Sequence, residues 1–329
     1  MEGSSCCNKY FWFEVLILLV SLYFLINYIV DHWISTKVKQ NVLVTGCDSG
    51  FGLQTALVLS ESNCKVFAGC LTQDGVKQLE NDARFQGMAF IMDVTKDEDV
   101  QNTKKIIEEN GGIDGLVNNA GILIHGLIEW QSIELMKKTF EVNYWGLVRV
   151  TKVMLPLLKK SRGRIVNLTS IGGRLTPPYT APYYCSKYAA EAFSDSLRLE
   201  VKPWGISVHI IEPSYYKTAI TNEETVRRNW QKLWNEQPDE IQNEIDEKTF
   251  HEFVTAFYKQ ISIGSENIIE VALVIKHALL AKFPRRRYIT GVNCGLAAFA
   301  THLPTVLGDF FMALSVPLLR PIKTPKKTN

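Results

Sequence analysis

The chain predicts a single doubly wound α/β domain of Rossmann type, a parallel sheet with helices on both faces, and three observations carry that expectation. From residue 41 onward, short apolar runs rich in branched residues alternate with helical segments. A glycine-rich turn, Thr45-Gly46-Cys47-Asp48-Ser49-Gly50-Phe51-Gly52, joins the first run to the first helix. There, backbone can approach a pyrophosphate closely and the helix N-terminus offers free N–H groups. Asn118-Asn119-Ala120-Gly121 closes the fourth run, near the centre of such a sheet, and open α/β sheets bind ligands at the carboxyl ends of central strands.

Strands are expected at 41–44, 65–69, 88–92, 115–117, 164–168 and 206–211, with a seventh near 288–290. Helices are expected at 50–62, 97–110, 131–160 and 183–201. Residues 215–262 break the rhythm. They are rich in Glu, Asn, Gln, Trp and Lys and read as helices outside the sheet, a substrate lid within a catalytic domain spanning 41–291. The segment 292–329 begins as an apolar stretch interrupted by His302, Pro304, Asp309 and Pro317. It reads as an element that covers the pocket or lies on a membrane surface.

After a short tail at 1–9, residues 10–30 are apolar apart from Glu14, Asn27 and a few Ser and Tyr positions. At about 1.5 Å per residue such a helix crosses a hydrocarbon core of about 30 Å. No small-residue cleavage site is evident, so an uncleaved transmembrane anchor is expected, followed by a polar linker at 31–40. Lys37 and Lys39 follow the anchor and Lys9 precedes it, a bias that places the catalytic domain in the cytosol. Lys326 and Lys327 stand fourth and third from the end and resemble a dilysine retrieval signal, read on the cytosolic face of the endoplasmic reticulum.

Charge is nearly balanced, 36 basic against 34 acidic residues, which gives no footprint for nucleic acid. The seven cysteines (Cys6, Cys7, Cys47, Cys64, Cys70, Cys185 and Cys294) have no zinc-ligand spacing and read as reduced thiols, so no metal is expected.

The chemistry lies in Tyr183 and Lys187, four residues apart and therefore on one face of a helix. A neighbouring ammonium favours phenolate and lowers the pKa of Tyr. Ser170, thirteen residues upstream of that Tyr, can hydrogen-bond the same substrate oxygen. Together these groups can move a proton on or off an alcohol oxygen. Asp93, at the end of the third strand, can accept from an adenine amino group, and Asn119, Ala120 and Gly121 suit a ribose.

The glycine turn, the Asn-Asn-Ala-Gly turn, Asn143, Ser170 and the Tyr183/Lys187 pair occur in the order and spacing of the short-chain dehydrogenase/reductase family, which residues 40–220 resemble. The resemblance implies a nicotinamide-dependent interconversion of alcohol and carbonyl. It makes Tyr183 the general acid/base, with Ser170 orienting the substrate oxygen. Lys187 lowers the Tyr pKa and holds the nicotinamide ribose, and Asn143 anchors a water in a proton relay. The coenzyme falls to Thr45, Gly46, Ser49, Gly50, Phe51, Gly52, Cys70, Asp93, Asn119, Ala120, Gly121, Tyr183, Lys187, Pro213 and Thr218. Cys70 occupies the position where NAD-using members often carry Asp. Ser49 stands where NADP-using members carry a cation, and Asp48 beside it repels a 2′-phosphate, so NAD is expected over NADP.

The glycine turn, the stretch 191–200 and the tail containing Tyr288 resemble the membrane-bound retinol and hydroxysteroid dehydrogenase branch. A hydrophobic alcohol taken from membrane lipid, and a homodimer through 131–160 and 183–201, follow from that resemblance. A 3-hydroxybutyrate-type hydroxyacid dehydrogenase and a non-catalytic coenzyme-binding scaffold are the alternatives. Tyr215, Tyr216, Trp230, Trp234, Phe250 and Phe253 fall in the variable region, either lining the pocket or packing the lid. Pro213-Ser214 departs from the family's Pro-Gly, and Thr176 to Pro182 is proline-rich where retinol-type members are glycine-rich. His209 reads as structural, and the Asn167 sequon falls in a core strand.

Overall fold

Seven strands form one parallel sheet in the order β3-β2-β1-β4-β5-β6-β7. They are β1 (Gln40–Thr45), β2 (Cys64–Cys70), β3 (Gly87–Ile91), β4 (Gly115–Asn118), β5 (Arg164–Leu168), β6 (Ser207–Pro213) and β7 (Arg287–Thr290). The computed structural model describes residues 11–22 and 39–315. The strand order reverses at β1, which pairs with β2 on one side and β4 on the other. The crevice at that switch point therefore lies between the glycine turn and the Asn-Asn-Ala-Gly turn, as expected of an open α/β sheet.

Branched and aromatic residues pointing alternately up and down from the strands seed a core on each face. One centres on Val42, Val44, Val66, Ala68, Val117 and Val166. The other takes Leu43, Phe67, Leu116, Ile165 and Val208. The first is covered by α2 (Gly50–Ser60) and α11 (Ile269–Leu280), the second by α4 (Asp97–Glu109), α6 (Leu147–Ser161) and α7 (Ala181–Glu200). The helix expected at 131–160 is real but not uniform. It consists of α5 (Ile133–Phe140) and α6 joined through a π turn at Glu141–Gly146. Single π turns are common at functional sites, and this one carries Asn143.

Two helices were not legible. The short α3 (Gln73–Glu80) is started by Thr72, whose side chain accepts from the Gly75 N–H. In α11, Val271, Ala272, Ile275, Ala278 and Leu279 are buried on one face, but exposed Ile269 and Leu273 make the other side apolar too, so the helix lacks the polar stripe that marks an amphipathic one. The lid is helical as expected: α8 (Glu223–Asn235), α9 (Asp239–Gln242) and α10 (Glu247–Ile261). Asn222 and Asp246 cap α8 and α10 by accepting from Thr225 and Thr249. Their apolar faces meet in a third cluster of Trp130, Tyr179, Trp230, Trp234, Phe250 and Phe253.

Residues 292–315 form α12 (Cys294–Ala300) and α13 (Thr305–Ser315). Near the amino end, α1 spans residues 11–22 with its apolar side chains exposed. Among the described residues no helix is long and apolar enough to cross a membrane. The rest of the expected anchor (10 and 23–30), the linker as far as 38 and the tail with Lys326 and Lys327 lie outside the described residues.

Candidate active site

The glycine turn is shaped by backbone, not by side chains. Gly46 and Gly50 have φ of +71° and +59°, the left-handed region that glycine enters without strain. A Cβ on Gly52 would stand 2.1 Å from the Gly46 carbonyl oxygen and 2.5 Å from Asn119 Nδ2, so only glycine lets α2 start this close to the turn. Asn119 donates to the carbonyls of Thr45 and Gly46 at 2.8 and 3.0 Å. Thr45 Oγ1 accepts from the N–H groups of Asn119 and Ala120, both at 3.1 Å. Thr45, Gly52 and Asn119 thus lock two loops together, while Gly46, Ser49, Gly50, Phe51, Asn119, Ala120 and Gly121 face a common cavity.

One coenzyme expectation is corrected. Cys70 is fully buried in the core beside Val66 and Ala68, with burial pushing its thiol up to about 12, and it does not border the cavity. The strand continues one step too far into the core for that side chain to meet a ligand, and Leu71 and Thr72 line the cavity instead. Asp48 organises this corner. Its carboxylate accepts from the Leu71 N–H at 2.8 Å and from both the N–H and hydroxyl of Thr72 at 2.8 and 2.7 Å. Asp93 borders the cavity as expected, with one oxygen taken by the N–H and hydroxyl of Thr95.

At the ends of β5 and β6 the proton-handling groups converge. Ser170 Oγ donates to the Pro213 carbonyl at 3.3 Å, accepts from the Gly172 N–H at 3.0 Å and hydrogen-bonds the Tyr183 phenol. The first turns of α7 carry Tyr183 and Lys187, and Lys187 Nζ lies 5.6 Å from the Tyr183 ring centroid. Lys187 is buried and donates to the Leu168 carbonyl at 2.9 Å. Burial pulls its ammonium down to about 8, against a smaller upward pull from Glu191. Burial likewise drives the Tyr183 phenol up to about 12, against the lowering effect of Ser170. The lowering expected from Lys187 is not seen in this arrangement, where desolvation of the phenolate dominates.

Asn143 is buried in the π turn. Its Oδ1 accepts from the Ile122 N–H at 2.8 Å, and its Nδ2 donates to the Ile122 carbonyl at 2.9 Å and to Ser186 Oγ at 3.0 Å. The side chain thereby ties the loop after β4 to the helix bearing Tyr183.

Beneath Ser170, an ion network ties the site to the sheet. Arg174 pairs with buried Glu212, which shares Arg287 with Glu191. Burial and then Glu191 raise the Glu212 carboxyl to about 7, opposed by the two arginines. No sequence pattern announces this network, since its members come from β6, β7, α7 and a loop.

Ser214, where the family has glycine, needs no glycine-like conformation, since it is absent from the residues with positive φ. Its hydroxyl donates to the Val292 carbonyl at 2.7 Å, and the glycine freedom has moved across to Gly291, at φ +102°. Thr218 and Pro213 border the cavity.

The cavity measures about 1320 Å³ and its outer part is mainly apolar, with Leu175, Ile261, Leu296, Phe299 and Leu303 among its walls. Residues 292–315 therefore do cover the pocket. Trp230, Trp234, Phe250 and Phe253 pack the lid and do not reach the cavity, whereas Tyr215 and Tyr216 do. His209 is structural: Nδ1 meets the Arg285 carbonyl at 2.6 Å and Nε2 meets Ser207 Oγ at 2.8 Å. Asn167 is buried, donating to Ser194 and accepting from Asn118. Sequence reading missed His125, Thr180 and Tyr184, which line the cavity without belonging to any spacing pattern. Among the described residues no group of three or more His, Cys, Asp and Glu could hold a metal.

The family model described as short chain dehydrogenase matches residues 40–229. The bovine (Bos taurus) protein named 17-beta-hydroxysteroid dehydrogenase type 6 is 37% identical over 92% of this chain and 97% of its own length. Retinol dehydrogenase 7 of Mus musculus is 36% identical over 89% and 94%. Among solved structures, an actinorhodin polyketide ketoreductase with NADPH superimposes with a TM-score of 0.64 at 26% identity, covering 80% of this chain and 99% of that one.

Proposed function

The chain belongs to the short chain dehydrogenase family, and from that premise we propose that it is an NAD-dependent oxidoreductase interconverting a hydrophobic alcohol of steroid or retinol type with its ketone or aldehyde. The observation that carries this reading is the meeting of Ser170, Tyr183 and Lys187 at the floor of a large apolar cavity that opens onto the glycine turn. The names of the relatives, a hydroxysteroid and a retinol dehydrogenase, support the substrate class.

A nicotinamide dinucleotide, when bound, accepts or supplies the hydride. The cradle formed by Gly46, Ser49 and Gly50 at the N-terminus of α2 suits its pyrophosphate, and Gly52 lets the helix start close enough to form it. Tyr183 takes the alcohol proton in oxidation and returns it in reduction, with Ser170 holding the same oxygen. A phenol held near 12 is protonated at neutral pH and is a proton donor to a carbonyl oxygen. Lys187, charged below about 8, steadies the phenolate left after donation. Ser170 is itself held by the Pro213 carbonyl, and the Arg174–Glu212 pair ties the end of its turn to β6.

NAD is favoured over NADP by the corner around Asp48. A carboxylate already bridging Leu71 and Thr72 repels a 2′-phosphate placed there. The lysines that border the cavity, Lys137, Lys138 and Lys187, come from α5 and α7 and not from the end of β2. The apolar stretch at 10–30, followed by Lys37 and Lys39, supports a place in the endoplasmic reticulum membrane with the catalytic domain toward the cytosol.

The test is a panel of steroid alcohols, retinol and short hydroxyacids on the full chain in membranes, with NAD and NADP in turn. Reduced coenzyme should form with steroid or retinol, at least about tenfold faster per unit concentration with NAD. Turnover confined to hydroxyacids would overturn the substrate class, and a preference for NADP would overturn the coenzyme.

A further inference from the structure

Resting on the reading of the cavity as a site for an apolar alcohol, we infer that His125 sets substrate specificity. Its Nε2 takes a second hydroxyl, remote from the reacting one, so that a rigid polycyclic diol is preferred to an alcohol bearing a single oxygen.

His125 lies in the loop between β4 and α5, buried, and borders the cavity. Its Nδ1 stands 3.3 Å from Thr180 Oγ1. The Thr180 hydroxyl also hydrogen-bonds Tyr184, and Tyr184 hydrogen-bonds Tyr215. All four residues border the same cavity. They form one polar track on a wall otherwise made of groups such as Leu175, Pro177, Pro178 and Phe257. The track starts at the reacting centre, since the Tyr184 ring lies 5.6 Å from that of Tyr183. It ends at His125 Nε2, which is buried and has no hydrogen-bond partner among the described residues.

Trp230 Nε1 and Gln131 Oε1 are also buried without a partner, but neither residue borders the cavity. An unpaired buried nitrogen is destabilising, and a substrate group that pairs with it recovers that loss. Burial pulls the imidazole down to about 4, so the ring is neutral at physiological pH and its Nε2 is a donor in one tautomer and an acceptor in the other. A hydroxyl serves either. Nε2 is closed to solvent, and the Phe257 ring meets the imidazole edge-on at 5.0 Å while also bordering the cavity. The substrate's far end reaches Nε2 by turning that ring aside.

Geometry favours a long rigid molecule. Thr180 precedes α7 and Tyr183 is its third residue, about 4.5 Å along the axis. His125 lies one further hydrogen bond away. A fused-ring skeleton holds two oxygens apart without losing rotamer freedom on binding, whereas a flexible chain pays that entropy.

The experiment compares kcat/KM for a steroid diol and for the monohydroxy steroid lacking the far hydroxyl, using the full chain in membranes with NAD. The diol should be favoured about tenfold, mainly through KM. In His125→Phe the ratio should fall to about one, and in His125→Gln, which keeps a hydrogen-bonding group, most of it should return. Equal turnover of both steroids by the wild type, or an undiminished ratio in His125→Phe, overturns the inference while leaving the alcohol oxidoreductase intact. If His125→Phe does not fold, the wild-type ratio and the His125→Gln ratio still decide. No turnover of either steroid overturns the underlying reading and the inference with it.

Discussion

The half of the molecule around the glycine turn and the half that closes over the cavity are built on opposite plans. Around the turn, position is fixed by backbone and small polar groups. Thr45 and Asn119 stitch loops together, and Asn118 donates to Thr151 and Asn167 at 2.9 and 2.8 Å. Over the cavity, position is fixed by bulk: Trp130, Trp230, Trp234 and Phe250 interlock, with Trp234 and Phe250 stacked at 4.7 Å. The polar plan tolerates almost no change of shape, whereas the aromatic one constrains volume and apolarity but not identity. One binds an invariant dinucleotide, and the other can be re-cut for different alcohols.

That contrast can be broken at several points. The largest effect should come from Tyr183→Phe, where removal of one oxygen is expected to lower kcat/KM by about 10³-fold. NADH binding, followed by fluorescence, should be retained, since the glycine turn is untouched; near-normal turnover would reject the role of the phenol. Next, Trp230→Ala empties the centre of the lid and should cost about 3–5 kcal/mol in denaturant unfolding, with a raised substrate KM. An unchanged NADH affinity in that variant would show that the two halves are mechanically separate, and a parallel loss would show the opposite.

Gly52→Ala sharpens the other side. The added methyl must displace the Gly46 carbonyl or Asn119, which is expected to cost about 1–3 kcal/mol and to weaken NADH binding more than substrate binding. Both changes can be read from melting curves with and without coenzyme. The smallest effect is one of pH. The native Lys187 ammonium gives up its proton near 8, while the unfolded chain keeps it to lysine's ordinary value. Below about 8 the burial penalty is therefore full, and it is relieved as pH rises beyond that. Stability should gain about 1 kcal/mol between pH 8 and 9 from this group. Lys187→Met should remove that slope, as measured by unfolding at each pH.

The same division explains what could be read from the amino-acid sequence. The strands, the glycine turn and the Tyr183/Lys187 pair declare themselves because their physics is local: a branched run, a backbone turn, a four-residue spacing. Strand limits moved by only a residue or two, and all seven strands kept their expected centres within the observed spans. Cys70 was misplaced because a strand's last inward position and its first loop position differ by one residue and opposite surroundings. Asn143 was found, but its partners Ile122 and Ser186 depend on tertiary packing. His125 and the Arg174–Glu212–Arg287–Glu191 network were invisible, because their members are far apart in the chain and meet only through the sheet. The lid aromatics suited either packing or pocket, and only their positions separate Trp230 from Tyr215.

The helices α12 and α13 have two faces with one chemistry. Leu296 and Phe299 border the cavity yet remain largely exposed, and Val306 and Phe310 further along are exposed too. Whatever greasy medium surrounds the protein is thus in contact with the same side chains that greet an incoming alcohol. Surfactant monomers added to an assay share that chemistry, so they should compete for entry, and apparent affinities should track surfactant concentration as well as substrate.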